Sequence, residues 1–379
     1  MKIVYCIHSL YNPGGMERVM LGKVAYLKAH TGWDISVVTT NQGGRPTFFD
    51  LPDGVRMTDL DINYESGAQS RAIRKILVYL RKKRLHRRRL TELLKKEKAD
   101  IVVSLFPSES SFIPGIKDGS KKVLELHFNR FFRTQYGRGG LVGMIDRWRE
   151  KSDLKLVGKF DRFVVLTDED RGYWGELHNI ETIPNPSLFR TERISDTSRH
   201  RVVAVGRLDH QKGFDRLLKA WAIVCSQSDL RDWTLDIYGQ GEWESMLQQQ
   251  IEDSGIAGRA FLRGTTSDIA AEFADSAFIV MSSRYEGLPM VLIEAMACGL
   301  PAVSFACKCG PRDIIREGAN GLLVPEGDCS ALAEAMMRLM RDDGMRWEMG
   351  VEALTSKERY CEEAIMAKWI SMFESLCSE

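Results

Sequence analysis

Twice along this chain, short apolar runs alternate with stretches carrying apolar residues at helical spacing, and between the two series the alternation stops. That pattern specifies parallel sheets covered by helices. Neighbouring parallel strands need a long crossover, and a helix that buries one face on the sheet supplies it. The first series reads as strand 2–7, helix 16–29 with Met16, Val19, Met20, Val24 and Leu27 on one face, then strands 34–39, 100–105, 122–126 and 162–166. At 183–187 the run IPNPS holds two prolines, which bias the preceding residues to extended backbone, and 191–200 is polar without a period. The series then restarts. Strand 202–205, helix 214–226, strand 233–238, helix 242–252, strand 260–262, helix 267–275, strand 277–281, helix 289–297 and strand 301–305 follow, with 321–325 as a last strand before further helices. The expected fold is α/β: two facing doubly wound Rossmann-like domains, 1–184 and 185–360, whose ligands bind at the carboxyl ends of the strands and in the inter-domain cleft.

Composition narrows the class. The 379 residues are 44% hydrophobic and 28% charged, which excludes a disordered chain. No apolar run approaches the ~20 residues a bilayer span requires, and MKIVYCIHSL lacks the length and flanks of a signal peptide. A cytoplasmic protein is expected, with attachment to a membrane surface open. The eight cysteines show no C-x-x-C spacing, and several lie in apolar or helical contexts that suit reduced core cysteines. The net charge of +1 hides an asymmetry: residues 71–98 hold thirteen Lys or Arg against Glu92 and Glu97. Such a block is too lopsided for a salt-bridged surface. It suits nucleic acid, an anionic membrane surface or a lipid diphosphate, and with only Tyr79 interleaved, base stacking is disfavoured.

The chemistry-bearing residues cluster where strands end. Arg207 and Lys212 follow the strand VVAV, which Gly206 ends, and precede a helix that starts near Phe214. A planar guanidinium and a mobile ammonium at a helix N-terminus make an anion site. Glu286 lies in a loop after strand 277–281, before Gly287, Leu288 and Pro289, and Glu294 lies inside the next helix. These carboxylates can accept hydrogen bonds from sugar hydroxyls, and a charge within VLIEAMA is costly unless it faces a polar partner. Gly14 and Gly15 open the first helix and can bring N–H groups to phosphate oxygens. Gly239-Gln240-Gly241 begins like a dinucleotide fingerprint but has Glu244 where the third glycine belongs, so it reads as a nucleotide-proximal loop. Asp59-Leu60-Asp61 matches a metal-binding D-x-D pattern, yet such matches arise by chance and this one lies in the other half from the cation pair. No metal and no cofactor are expected. His127 follows an apolar strand, so it is either a packed loop histidine or a cleft residue that contacts a ligand.

In this order and context the chain resembles the retaining glycosyltransferases of family four, also called glycosyltransferase group 1, which have the GT-B fold. The resemblance covers most of the chain. It is carried by VVAVGRLDHQKG at 202–213, the E-x7-E motif at Glu286 and Glu294 within 282–327, GGMERV at 14–19 and the IPNPS linker. It implies that Arg207 and Lys212 hold the donor diphosphate, that Glu286 contacts the sugar and Glu294 the ribose, and that Gly287 and Leu288 cradle both. It also implies that Gly14 and Gly15 face the diphosphate, that His127 lies near the donor sugar, and that 361–379 forms a helix returning to the first domain. Asn185-Pro186 departs from the more usual Asn-Gly. This form and the basic helix are similar to a bacterial subgroup that extends glycans on polyprenyl diphosphate, which assigns acceptor or membrane binding to Arg74, Arg81, Arg84 and Arg88.

The resulting expectation is a metal-independent transfer from a nucleotide-diphosphate sugar, UDP favoured over GDP, to a polyprenyl-diphosphate-linked or polysaccharide acceptor at a peripheral membrane surface. A phosphorylase or synthase of the same fold with a soluble acceptor leaves the basic helix unexplained. A nucleic-acid binder leaves Glu286 and Glu294 without a purpose.

Overall fold

A computed structural model describes residues 1–64, 72–107, 109–135 and 139–378; the side chains of 72–75 and 141, Arg74 among them, lie outside what it describes. The chain divides into two compact units, one formed by Met1–Leu166, Asp170–Pro186 and Ile365–Glu379, the other by Thr167–Glu169 and Ser187–Ala364.

The first unit runs β1 (Lys2–Ile7), α1 (Gly15–His30), β2 (Asp34–Thr39), β3 (Arg56–Asp59), α2 (Ala72–Glu97), β4 (Ile101–Leu105), β5 (Lys121–Glu125), α3 (Gly140–Val157), β6 (Arg162–Val165), α4 (Asp168–Trp174) and β7 (Ile180–Thr182). Its seven strands pair in parallel in the order β3-β2-β1-β4-β5-β6-β7. Successive strand residues point to opposite faces, so Ile3, Tyr5 and Ile7 pack with α1 on one side while Val4 and Cys6 pack with Leu90 and Leu94 of α2 on the other. The second unit runs β8 (Arg201–Val205), α5 (Phe214–Cys225), β9 (Thr234–Tyr238), α6 (Glu244–Asp253), β10 (Ala260–Gly264), α7 (Ile269–Ala274), β11 (Phe278–Met281), α8 (Met290–Ala297), β12 (Ala302–Phe305), α9 (Pro311–Ile314), β13 (Gly321–Val324), α10 (Cys329–Arg341) and α11 (Asp343–Ser356). Six parallel strands lie in the order β10-β9-β8-β11-β12-β13. The last helix, α12 (Glu362–Ser378), puts Ile365, Trp369, Phe373 and Leu376 into the β1–α1 side of the first core.

In each sheet the strand order reverses beside the first strand of the unit, between β1 and β4 and between β8 and β11. In doubly wound sheets the carboxyl ends of the strands at such a reversal are the usual place for a ligand.

One buried acid of the first unit has a measurable consequence. Glu109 is fully buried, takes a 2.5 Å hydrogen bond from Ser104 Oγ, and leaves Oε2 without a hydrogen-bond partner among the described residues. Burial pushes its carboxyl up to about 7. The folded state then holds a proton that the unfolded chain releases, so stability falls as pH rises from the ordinary carboxylate range towards 7. Glu109→Gln should raise the melting temperature at about pH 8 and change it little near pH 5. An equal shift at both pH values would show that this proton is not what titrates.

Candidate functional site

In the second unit, glycines let three loops approach one another. Gly239 has φ +145°, and a Cβ there would lie 1.8 Å from the Gly206 carbonyl oxygen; at Gly241 it would lie 2.3 Å from that of Leu208. The loops after β8 and β9 therefore meet backbone to backbone, joined by Leu208 N–H donating to Gln240 O at 3.0 Å. Gly213, at φ +65°, precedes α5 with room for no side chain, since a Cβ would lie 2.3 Å from Ser282 O. The loop after β11 is thereby pressed against the start of α5, and Ser282 Oγ donates to Lys212 O at 2.9 Å.

This packing brings Lys212 to Glu286. Lys212 Nζ donates to Glu286 Oε1 at 2.7 Å, Ser283 Oγ donates to the same oxygen at 2.6 Å, and the carboxylate is buried. An ammonium has three donors, so one such bond leaves others for a ligand. The Lys212 stem lies over Gly206, where a Cβ would come within 3.0 Å of it. Arg207 is 70% exposed and is steadied by Asp209 Oδ2 at 3.2 Å and Gln211 Oε1 at 3.1 Å. Gln211 also donates through Nε2 to Tyr285 O at 3.2 Å, with Glu286 Oε2 3.5 Å away. It thus ties the cation loop to the carboxylate loop, a role that its position between two motif residues hardly announces.

The α5 N-terminus is kept electropositive. Asp215, in its first turn, accepts from Arg284 Nη1 and Nη2 at 2.9 and 2.7 Å. Burial alone would raise the Asp215 carboxyl, but the Arg284 hydrogen bonds and charge hold it below the usual range. The helix dipole and the cations thus act on a loop whose first-turn acid is already paired. Glu294 sits half-buried on α8, which Pro289 caps, and Leu288 is buried beside Gly287. Burial above all, with a contribution from the Glu294 charge, pushes the Cys298 thiol to about 11.

In the first unit, His127 follows β5, and its Nε2 lies 3.0 Å from Glu125 Oε1. Gly14 precedes α1, and a Cβ there would strike the Glu17 carboxylate at 2.0 Å, so an acid lies against that backbone; nothing stands within 4 Å of a Cβ on Gly15. Asp59 holds local loops, accepting from Thr39 Oγ1 and from Gly43 N–H at 3.0 Å each. The basic block forms one helix, α2, on which Arg81, Arg84 and Arg88 are exposed. Arg88 has Glu92 at 3.9 Å, with both side chains 69% exposed. Ile76, Leu77 and Leu80 of this helix are exposed, and it is anchored by the buried Leu90 and Leu94. Beside them, α3 exposes Val142, Met144, Ile145 and Trp148, an apolar face that sequence reading missed. A hollow of about 550 Å³ lies between the helices, with Tyr79 and Lys83 of α2 on one wall and Trp148, Arg149 and Ser152 of α3 on the other.

Two parallel-sheet units, each with its own strand-order reversal, suit the GT-B class, and known proteins agree. Residues 188–355 match the family described as glycosyl transferases group 1. An uncharacterized glycosyltransferase of Haemophilus influenzae is 27% identical over 374 residues, 97% of this chain and 98% of the relative. A Campylobacter jejuni protein named for α-1,4-N-acetyl-D-galactosaminyl transfer to a diNAcBac-PP-undecaprenol glycan is 25% identical over 381 residues, 98% of each chain. The solved structure of HepE from Anabaena in complex with UDP superposes with a TM-score of 0.77 at 17% identity, covering 99% of this chain and 100% of that one. Residues 188–355 thus form a group 1 glycosyl transferase domain, and the chain is a glycosyltransferase of GT-B fold.

Proposed function

We propose that this enzyme moves a hexosyl or N-acetylhexosaminyl group from a UDP-sugar to a polyprenyl-diphosphate-linked or polysaccharide acceptor, with retention of configuration and without a metal ion. The observation that carries this is the pairing of Lys212 with Glu286 at the N-terminus of α5, beside Arg207. As the bond from the anomeric carbon to phosphate oxygen breaks, negative charge builds on the departing diphosphate while the sugar becomes oxocarbenium-like. Arg207, the remaining N–H donors of Lys212 and the α5 dipole stabilise that charge in place. Glu286 receives sugar hydroxyls, Glu294 the ribose, and the backbone at Gly206, Gly239, Gly287 and Leu288 lines the nucleotide side. The family resemblance further assigns Gly14 and Gly15 to the diphosphate and His127 to the donor sugar. The acceptor oxygen attacks from the face the diphosphate leaves, and its proton passes to the leaving phosphate oxygen. HepE, solved with UDP, supports the nucleotide, and the Campylobacter relative supports a lipid-linked acceptor.

No helix among the described residues is long and apolar enough to cross a membrane. We place the enzyme peripherally on the cytoplasmic face of the cell membrane. The helices α2 and α3 carry exposed apolar residues together with the exposed Arg81, Arg84, Arg88 and Arg149, a combination that suits an anionic surface.

The donor assignment is tested by thermal shift with UDP, UMP and GDP. UDP at about 100 times its dissociation constant should add about 2.7 kcal/mol to stability, and UMP far less, because the second phosphate meets the cations. Equal shifts from UMP and UDP would refute a diphosphate grip.

A further inference from the structure

The first unit contains a buried ionic chain that the transfer reaction as described does not use. Lys23 of α1 and Glu125 at the end of β5 are each 1% exposed and form an ion pair 102 residues apart in sequence. The same oxygen, Glu125 Oε1, faces His127 Nε2 at 3.0 Å, a close contact in which the ring N–H is not yet aligned for a full hydrogen bond. The Lys23 ammonium lies 4.1 Å from the ring centroid of Trp369, a fully buried residue of α12. Beside them, Tyr5 Oη, Glu125 Oε2 and Trp369 Nε1 have no hydrogen-bond partner among the described residues. Burial raises a carboxyl, but the Lys23 charge against it outweighs this and holds Glu125 below the usual range. Burial lowers Lys23, which still sits against that carboxylate.

A pair this deep is weak support for stability. Removing two ions from water costs several kcal/mol each, and well-packed apolar residues often do as well. An uneconomical arrangement of this kind belongs with sites where a group must be held in place. The chain also has a direction: Trp369 covers Lys23, Lys23 fixes Glu125, and Glu125 faces His127 Nε2 at the carboxyl end of a strand.

We propose that Glu125 is the positioning residue for His127, anchored by Lys23 and covered by Trp369, so that the last helix of the chain helps to aim an imidazole of the transfer site. This rests on the reading of His127 as a group that meets the donor sugar. Glu125 holds the Nε2 edge and leaves Nδ1 as the edge to present. A carboxylate accepts that N–H better than an amide does, because charge-assisted hydrogen bonds are roughly twice as strong as neutral ones.

The test is nuclear magnetic resonance on the full chain with 15N-labelled histidine, seven rings in all, at about pH 8, where an ordinary imidazole is neutral. The wild type should show one exchange-protected ring N–H signal that His127→Ala removes. Glu125→Gln, close in shape but uncharged, should weaken its protection at least 10-fold while UDP stabilises the variant as it does the wild type. If Glu125→Gln does not fold, Lys23→Gln is read in the same way. A protected His127 signal unchanged by either substitution, or no such signal in the wild type, overturns the proposal. Loss of UDP stabilisation in Glu125→Gln would show a structural role and overturn it as well. Failure of UDP to stabilise even the wild type would count against the donor reading and leave the N–H result standing.

Discussion

Lys212→Ala should lower kcat by about 10²–10³-fold, the loss seen when one preorganised donor to a developing oxyanion is removed. The lysine is held for the task. Its stem lies over Gly206, its ammonium is 2.7 Å from Glu286 Oε1, and its backbone N–H donates to Asp209 Oδ1 at 3.1 Å. The substitution also takes the ammonium away from the buried Glu286 carboxylate, which costs about 1–3 kcal/mol of stability or more. Lys212→Met separates the two effects, because it keeps the packing of the stem. Both variants should lose rate alike, and the melting temperature of the Met variant should fall less. Steady-state kinetics with the UDP-sugar that turns over, alongside melting curves, checks this. Full activity in Lys212→Met would remove the ammonium from the mechanism.

The second large effect concerns attachment. Replacing Arg81, Arg84 and Arg88 together by Gln should weaken binding to anionic vesicles by about 10²-fold, since each cation near such a surface contributes about 1 kcal/mol. Raising salt from about 0.1 to 1 M shrinks the screening length from about 10 to 3 Å and should mimic the triple variant. Met144→Glu with Ile145→Glu should weaken binding through the apolar face instead and leave the salt slope nearly intact. Trp347→Ser is the control: that side chain is equally exposed, but beside Asp343 and Glu348. Vesicle co-sedimentation reads all of these. Salt-independent binding would mean the arginines are a solvated face.

What the sequence reveals and conceals follows from how local each signal is. β8 and β11 are apolar runs buried on both faces, so they are legible without a partner. β3, RMTD, is an edge strand with exposed and half-exposed positions, and β7 is three residues long; neither carries an apolar run to find. α3 escaped because Val142, Met144, Ile145 and Trp148 face outward, where a periodicity argument expects polar residues. Among the site residues, Arg207, Lys212 and Glu286 are conspicuous because glycines and strand ends frame them. Gln211 and Glu125 are not, because their roles rest on contacts with Glu286, 75 residues away, and Lys23, 102 residues away. The glycine geometry is legible only in part: Gly213 and Gly239 can be suspected of special backbone, but not that each is pressed against one particular carbonyl oxygen.

The central claim is that the loop from Gly206 to Gly213 and the start of α5 receive a nucleotide diphosphate. A crystal structure of the enzyme with UDP tests it most directly. The account predicts diphosphate oxygens within about 2.7–3.2 Å of the Arg207 guanidinium and Lys212 Nζ, with the ribose towards Glu294. UDP density elsewhere, with Lys212 still engaged only by Glu286, would contradict it.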